Sequence, residues 1–165
     1  MKKSMLFCII TIAGTLMLFA CQHYGAEKKQ MPSPMAGQFW GYITTTSPYT
    51  QWNFFPGYEG MYPGQSPHGA YLKLYVNDVA YEALKNGDPM PDGAMLVKEN
   101  YGKDQKTLKA VTPMYKVDGY NPDGGDWYWA KFGADGTALE SGQVASCIEC
   151  HKAAGGGDYL ITEPK

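Results

Sequence analysis

Hydrophobic and polar positions alternate most regularly in "AYLKLYVN", residues 70–77, where Leu72, Leu74 and Val76 recur at every second place. A period of two predicts a strand. The next stretch, "DVAYEALKNG" (78–87), predicts a short helix, capped by Asn77 or Asp78 and ended by Gly87. After a turn at 88–93, "AMLVKENY" (94–101) predicts a second strand. Its Ala94, Leu96, Lys98 and Asn100 share one face, and Met95, Val97 and Glu99 the other. Residues 107–120 predict a third strand, interrupted at Pro113, which has no amide proton for a ladder. A turn at 121–126 leads to the aromatic strand "WYWAKFGADG" (127–136). Residues 39–69, rich in aromatics, Gly and Pro, predict short helical or irregular pieces. A last helix is expected at 143–154, stopped by Gly155–Gly157, because the motif within it needs its residues on one turn. The class is α+β, antiparallel strands with a few short helices, and no internal repeat is evident.

The N-terminus follows a different pattern. Lys2 and Lys3 precede an apolar run from Met5 to Ala20, shorter than the about 20 residues a spanning helix needs. A positive start, an apolar middle and a small residue before a cut predict a signal peptide over 1–20. The ending Leu18-Phe19-Ala20-Cys21 resembles a bacterial lipobox, in which Cys21 becomes the first mature residue and carries lipid; ordinary cleavage and a retained anchor are the alternatives. Gln22 after the cysteine resembles outer-membrane sorting. Residues 21–38, polar with Pro32 and Pro34, read as a lipid-attached or flexible tether, and 39–165 as one domain. The expected location is the periplasm, with the protein held at the outer membrane.

Composition narrows the chemistry. At 44% apolar and 18% charged the chain is not a disordered tail. A net charge of −2, more negative still without Lys2 and Lys3, leaves no nucleic-acid footprint. All 14 basic residues are lysine, so an anionic ligand must be held without the bidentate fork of arginine. The 13 Tyr, 4 Trp and 6 Phe favour strands and a large aromatic core or pocket.

Once Cys8 and Cys21 are assigned to the leader and its end, Cys147 and Cys150 remain, with His151 directly after them in "CIECH". C-x-x-C-H is the attachment signature of haem c. Two sulfurs three residues apart on a helical turn reach the two vinyl groups of one porphyrin, and the adjacent imidazole reaches the iron. Cys147 and Cys150 are thus the candidate thioether residues and His151 the candidate axial ligand of one covalent haem. A structural zinc site would need four ligands, and His23 and His68 offer no second close pair. A thioredoxin-like pair belongs at the start of a helix after an N-terminal strand. Zinc and redox readings therefore remain as weaker alternatives.

A C-terminal haem motif behind a strand-rich body resembles the cytochrome P-460 family and its relatives, the β-type cytochromes c′. The resemblance spans about 39–162 and rests on "SPHGAYLKLYVNDVAYEAL", "MPDGAMLVKENY", "GGDWYWAKFGADG" and "CIECHKA". It implies a five-stranded antiparallel sheet with helices, a homodimer, and an iron whose distal face is vacant or water-filled. It also implies a role for Lys98, which matches the lysine that in cytochromes P-460 bonds a haem meso carbon; β-type cytochromes c′ lack that bond. A solvated strand lysine is the plain alternative. His68 is a candidate second axial ligand, distal donor or loop histidine. Met61, Met90, Met95 and Met114 are candidate sixth ligands or core residues. Glu140 is a candidate proton-accepting carboxylate. Trp127, Tyr128, Trp129 and Phe132 are expected in the core or around the haem.

Three functions follow from these candidates. One is an exported mono-haem oxidoreductase with an open distal iron, oxidising hydroxylamine or nitric oxide and passing electrons to an acceptor such as another cytochrome. The second is a nitric oxide or carbon monoxide binder without turnover, and the third an electron carrier, six-coordinate through His68 or a Met. The distal pocket, not the fold, separates them.

Overall fold

The structure is a computed structural model that describes residues 30–153 and 157–161. The expected signal peptide, Cys21 and the first part of the expected tether lie outside the described residues. Helix α1, Ala36–Gly41, runs directly into a wider π-type turn at Tyr42–Thr46. It begins just ahead of the expected domain start, and Met31 already packs on the core.

The strands are β1 (Asn53–Phe54), β2 (Tyr62–Pro63), β3 (Tyr71–Val76), β4 (Met95–Tyr101), β5 (Leu108–Lys116), β6 (Trp127–Gly133) and β7 (Ala138–Gly142). They form one antiparallel sheet in the order β1-β3-β4-β5-β6-β7, with β2 also pairing to β3. Five of them are full strands, as expected; β1 and β2 are two-residue additions at the edge. Helix α2, Asp78–Asn86, starts where Asn77 accepts the Ala80 N–H at 3.0 Å and ends at Gly87 in the left-handed region. Helix α3, Ala145–Ala153, carries the cysteine motif.

Two expectations need adjusting. Pro113 does not end its strand. It pairs opposite Val97 of β4, while the ladder toward β6 lapses between Val111↔Phe132 and Met114↔Trp129, where the imide nitrogen has no proton to give. Strand β7 was not anticipated, because an exposed edge strand of sequence ALESG carries no alternation to read.

Both sheet faces are buried, which explains why β4 is apolar on each side. One face packs Phe39, Tyr42 and Ile43 against Tyr75, Met95, Val97, Tyr115, Tyr128 and Phe132. Here Glu99 is buried and accepts O–H groups from Tyr49 (3.0 Å), Tyr101 (2.8 Å) and Tyr75 (3.4 Å). The other face packs Leu74, Val76, Leu96, Met114, Trp127 and Trp129 against Ala80 and Ala83 of α2, with Cys147 and Ile148 of α3 at its margin. Of the four aromatics singled out in β6, Trp127 and Trp129 take this second face, and Tyr128 and Phe132 the first.

Candidate functional site

Between α3 and the second face lies a cavity of about 170 Å3, lined by Lys98, Trp129, Cys147, Cys150, His151 and His68 among others. A second lobe of about 260 Å3 adjoins it and shares Pro67, His68, Leu74, Lys98 and Cys150. On a helix, positions i, i+3 and i+4 fall on one face. Cys147, Cys150 and His151 stand at those positions, and all three line the cavity. Both cysteines are free thiols; burial, ahead of the nearby Glu140 charge, pushes the Cys147 thiol up.

His151 is 8% exposed, with its ring 4.6 Å from that of Trp129. Its Nδ1 lies 2.8 Å from the carbonyl oxygen of Tyr159. A carbonyl only accepts, so Nδ1 carries the proton and Nε2 keeps its lone pair. Burial holds the imidazole below its ordinary pKa, against the opposing pull of that carbonyl. The carbonyl is aimed by a turn in which Asp158 and Tyr159 both take positive φ, 57° and 62°. Asp158 locks the turn: its carboxylate meets Lys116 Nζ at 2.6 Å and accepts the Met90 N–H at 2.7 Å, and its backbone oxygen accepts Trp127 Nε1 at 3.1 Å. Asp158 and Tyr159 were missed in the sequence; a tail beyond a glycine run carries no periodicity to single them out.

Lys98 points from β4 into the cavity between Leu74 of β3 and Thr112 of β5, its register partners. Burial lowers its amine to about 8, partly offset by Cys150. Among the described residues no carboxylate pairs with it. His68 sits in the loop before β3, and burial, followed by the Lys98 charge, lowers it to about 4. Glu140 of β7 lines the cavity too, but its carboxylate is half-exposed and 4.0 Å from Lys131 Nζ. Of the four methionines, Met114 alone lines the cavity; Met95 is buried on the opposite face, Met90 packs beneath α2, and Met61 lines neither lobe.

The residues fit a haem. Besides the sulfurs and a ligand-ready imidazole, among the described residues the buried Trp129 Nε1 has no hydrogen-bond partner, and the Lys98 amine is a second donor without an acceptor there. An apolar cavity with unmet donors is what a bound group with polar edges completes. The family model for cytochrome P460 matches residues 47–162. The chain belongs to the cytochrome P460 family. Membership implies a haem cofactor, as the motif did. No curated protein is similar enough to count as a match.

Proposed function

We propose that this cytochrome P460 family chain holds one haem c through Cys147 and Cys150, with His151 on the iron, and oxidises a small nitrogen compound, hydroxylamine or nitric oxide. The observation that carries the reading is that Cys147, Cys150, His151 and Lys98 all line one largely apolar cavity. Bound there, the haem supplies a metal position for nitrogen and accepts electrons one at a time.

The chain's own groups do the rest. The Tyr159 carbonyl orients His151 and raises its basicity, a contact that tunes a metal's potential. Leu74, Leu96 and Met114 keep bulk water from the cavity. Glu140, at a half-exposed rim, takes protons released from the substrate and returns them to solvent. Taking hydroxylamine to nitric oxide would release one proton for each electron passed on, and taking nitric oxide to nitrite would consume a water and release two protons for its one electron.

Lys98 is the residue that separates enzyme from gas binder. With its amine at about 8, about a tenth is neutral and nucleophilic at pH 7. Were Nζ joined to a meso carbon of the bound porphyrin, one C–N bond would replace an N–H and a C–H, with two protons released and two electrons passed to an oxidant of the peroxide class. The matching protein weighs the chain plus haem, two hydrogens lighter at the Lys98 peptide.

The chain is exported to the periplasm, anchored through a lipid on Cys21, works as a homodimer and delivers electrons to another cytochrome. Peptide mass mapping of periplasmic protein, with acceptor reduction on adding hydroxylamine, tests the whole. Covalent haem, a bonded Lys98 and turnover support it. Unmodified Lys98 without turnover moves the function to nitric oxide or carbon monoxide binding, and a colourless product ends it.

A further inference from the structure

We infer that His68 closes the sixth position of the haem iron at rest, so that an external ligand must displace this imidazole to reach the metal. The inference rests on the proposed haem site and adds a gate to it, in place of a permanently open distal face.

The rings of His68 and His151 line the same cavity with centroids 6.2 Å apart and planes at 85°. Two imidazoles sharing one metal at bond lengths of about 2 Å place their centroids about 6 Å apart. Packed rings also meet at such distances, so the separation is necessary and the proton positions decide. Asn100 is 3% exposed, and its amide orientation is dictated by its neighbours. Its Nδ2 faces the carbonyls of Lys98 (3.1 Å) and Ala110 (3.2 Å) and the Thr112 hydroxyl (3.0 Å). Its Oδ1 accepts the Gly69 N–H at 3.1 Å. Flipping the amide would set donor against donor and acceptor against acceptor. His68 Nδ1 therefore lies 3.1 Å from an oxygen that only accepts, and must carry the ring proton. Its Nε2 is left as a lone pair, like that of His151. Neither Nε2 has a hydrogen bond among the described residues. Two acceptor nitrogens cannot bond each other; the Lys98 amine on the same cavity could donate to one of them, whereas a metal between them satisfies both.

The scaffold around His68 is built for this. A Cβ on Gly69 would fall 2.6 Å from the Tyr101 nitrogen and 2.7 Å from its oxygen, so the backbone beside His68 is pressed directly on β4. Gly64 is equally crowded, with Gly69 O at 2.2 Å from its would-be Cβ. Yet the histidine itself rides on a loop, its N–H held by the Gln65 carbonyl at 2.9 Å. Releasing it opens a loop contact and leaves the strand ladder intact, the kind of local opening that gates a site.

The test uses the haem-loaded protein and carbon monoxide as probe. Ferric wild type is expected to be low-spin by visible and electron paramagnetic resonance spectra, and His68→Gly high-spin, with added imidazole restoring the low-spin form. After reduction, the wild-type carbon monoxide rate should level off with concentration at the His68 release rate. That of H68G should stay linear, with apparent affinity tighter by about tenfold or more, because the closed fraction taxes binding. High-spin wild type with linear rates matching the variant overturns the gate. If H68G does not fold, the wild-type spectrum and the levelling alone decide. A pyridine haemochrome assay separates the failures: absence of covalent haem sinks the haem reading and the gate with it, whereas loaded high-spin protein sinks the gate only.

Discussion

Replacing Asp158 probes how a tail after the cysteine helix positions the axial histidine. In the wild type its carboxylate takes the Lys116 ammonium at 2.6 Å and the Met90 N–H at 2.7 Å, with the two charged side chains only 19% and 17% exposed. A hydrogen bond to a charged group contributes about 1.5–3 kcal/mol. A stranded, fully buried charge would cost about 3–5 kcal/mol, but Lys116 keeps some water and lies 5.0 Å from the centroid of the Trp127 ring, which lowers the penalty. Alanine at φ 57° adds about 1–2 kcal/mol of left-handed strain that Asp tolerates better. Asp158→Ala should therefore lose about 3–5 kcal/mol. Asp158→Asn keeps an acceptor for Met90 and the tolerance of positive φ, and should lose about 1–2 kcal/mol. Asp158→Gly relieves the strain but not the lost contacts, and should fall between them. Urea denaturation of the haem-loaded protein, followed by far-ultraviolet circular dichroism, reads these as midpoint shifts. With a slope of about 2 kcal/mol per molar, alanine moves the midpoint by about 2 M. Because the same turn presents the Tyr159 carbonyl to His151, alanine should also raise the reduction potential as the imidazole becomes less basic. An alanine variant within about 0.5 kcal/mol of wild type, or asparagine as damaging as alanine, refutes the clamp.

Three further outcomes follow from the fold. Glu99→Gln gives up the charge that gathers Tyr49, Tyr75 and Tyr101, and should destabilise by about 1.5–3 kcal/mol while the haem spectrum, on the other sheet face, stays unchanged. Gly69→Ala forces a Cβ against the β4 backbone; a loss of about 1–3 kcal/mol together with a more high-spin ferric spectrum is expected, and a neutral substitution would contradict the close approach. Burial, before the influence of nearby acids, raises Tyr75 and Tyr115 to about 12. Folded values above the unfolded 10 mean that the unfolded chain loses these protons first, so stability is full below pH 10 and falls as pH rises through 12. The phenolate absorbance that Tyr75→Phe and Tyr115→Phe remove should appear together with loss of structure in that window, and a difference signal titrating at 10 in folded protein would disprove the burial effect.

Much of the sheet was legible because its strands are half of an alternating pattern: Leu72, Leu74 and Val76 of β3, or Trp127 and Trp129 of β6, declare a shared face at once. The cap at Asn77 and the stop at Gly87 were equally readable, since both are properties of single residues. Strand β7 hid because it is exposed, and an edge that buries little leaves no mark. The face of β4 that would line the cavity was ambiguous, as each face held one charged residue among apolar ones. Only packing assigned Glu99 to the tyrosine cluster and Lys98 to the cavity.

By itself, then, the chain determined whatever lies within one helical turn or one strand of itself: the Cys147, Cys150 and His151 triplet and the strands β3 to β6, whose buried faces mark the sequence. Tertiary structure decided which distant groups face that triplet. His68 is bound to Asn100 across 32 positions and Asp158 to Lys116 across 42. The reason is physical: local dihedrals and side-chain spacing act along the chain, whereas sheet register and the docking of a tail depend on burial summed over the whole core, and no short segment carries that sum.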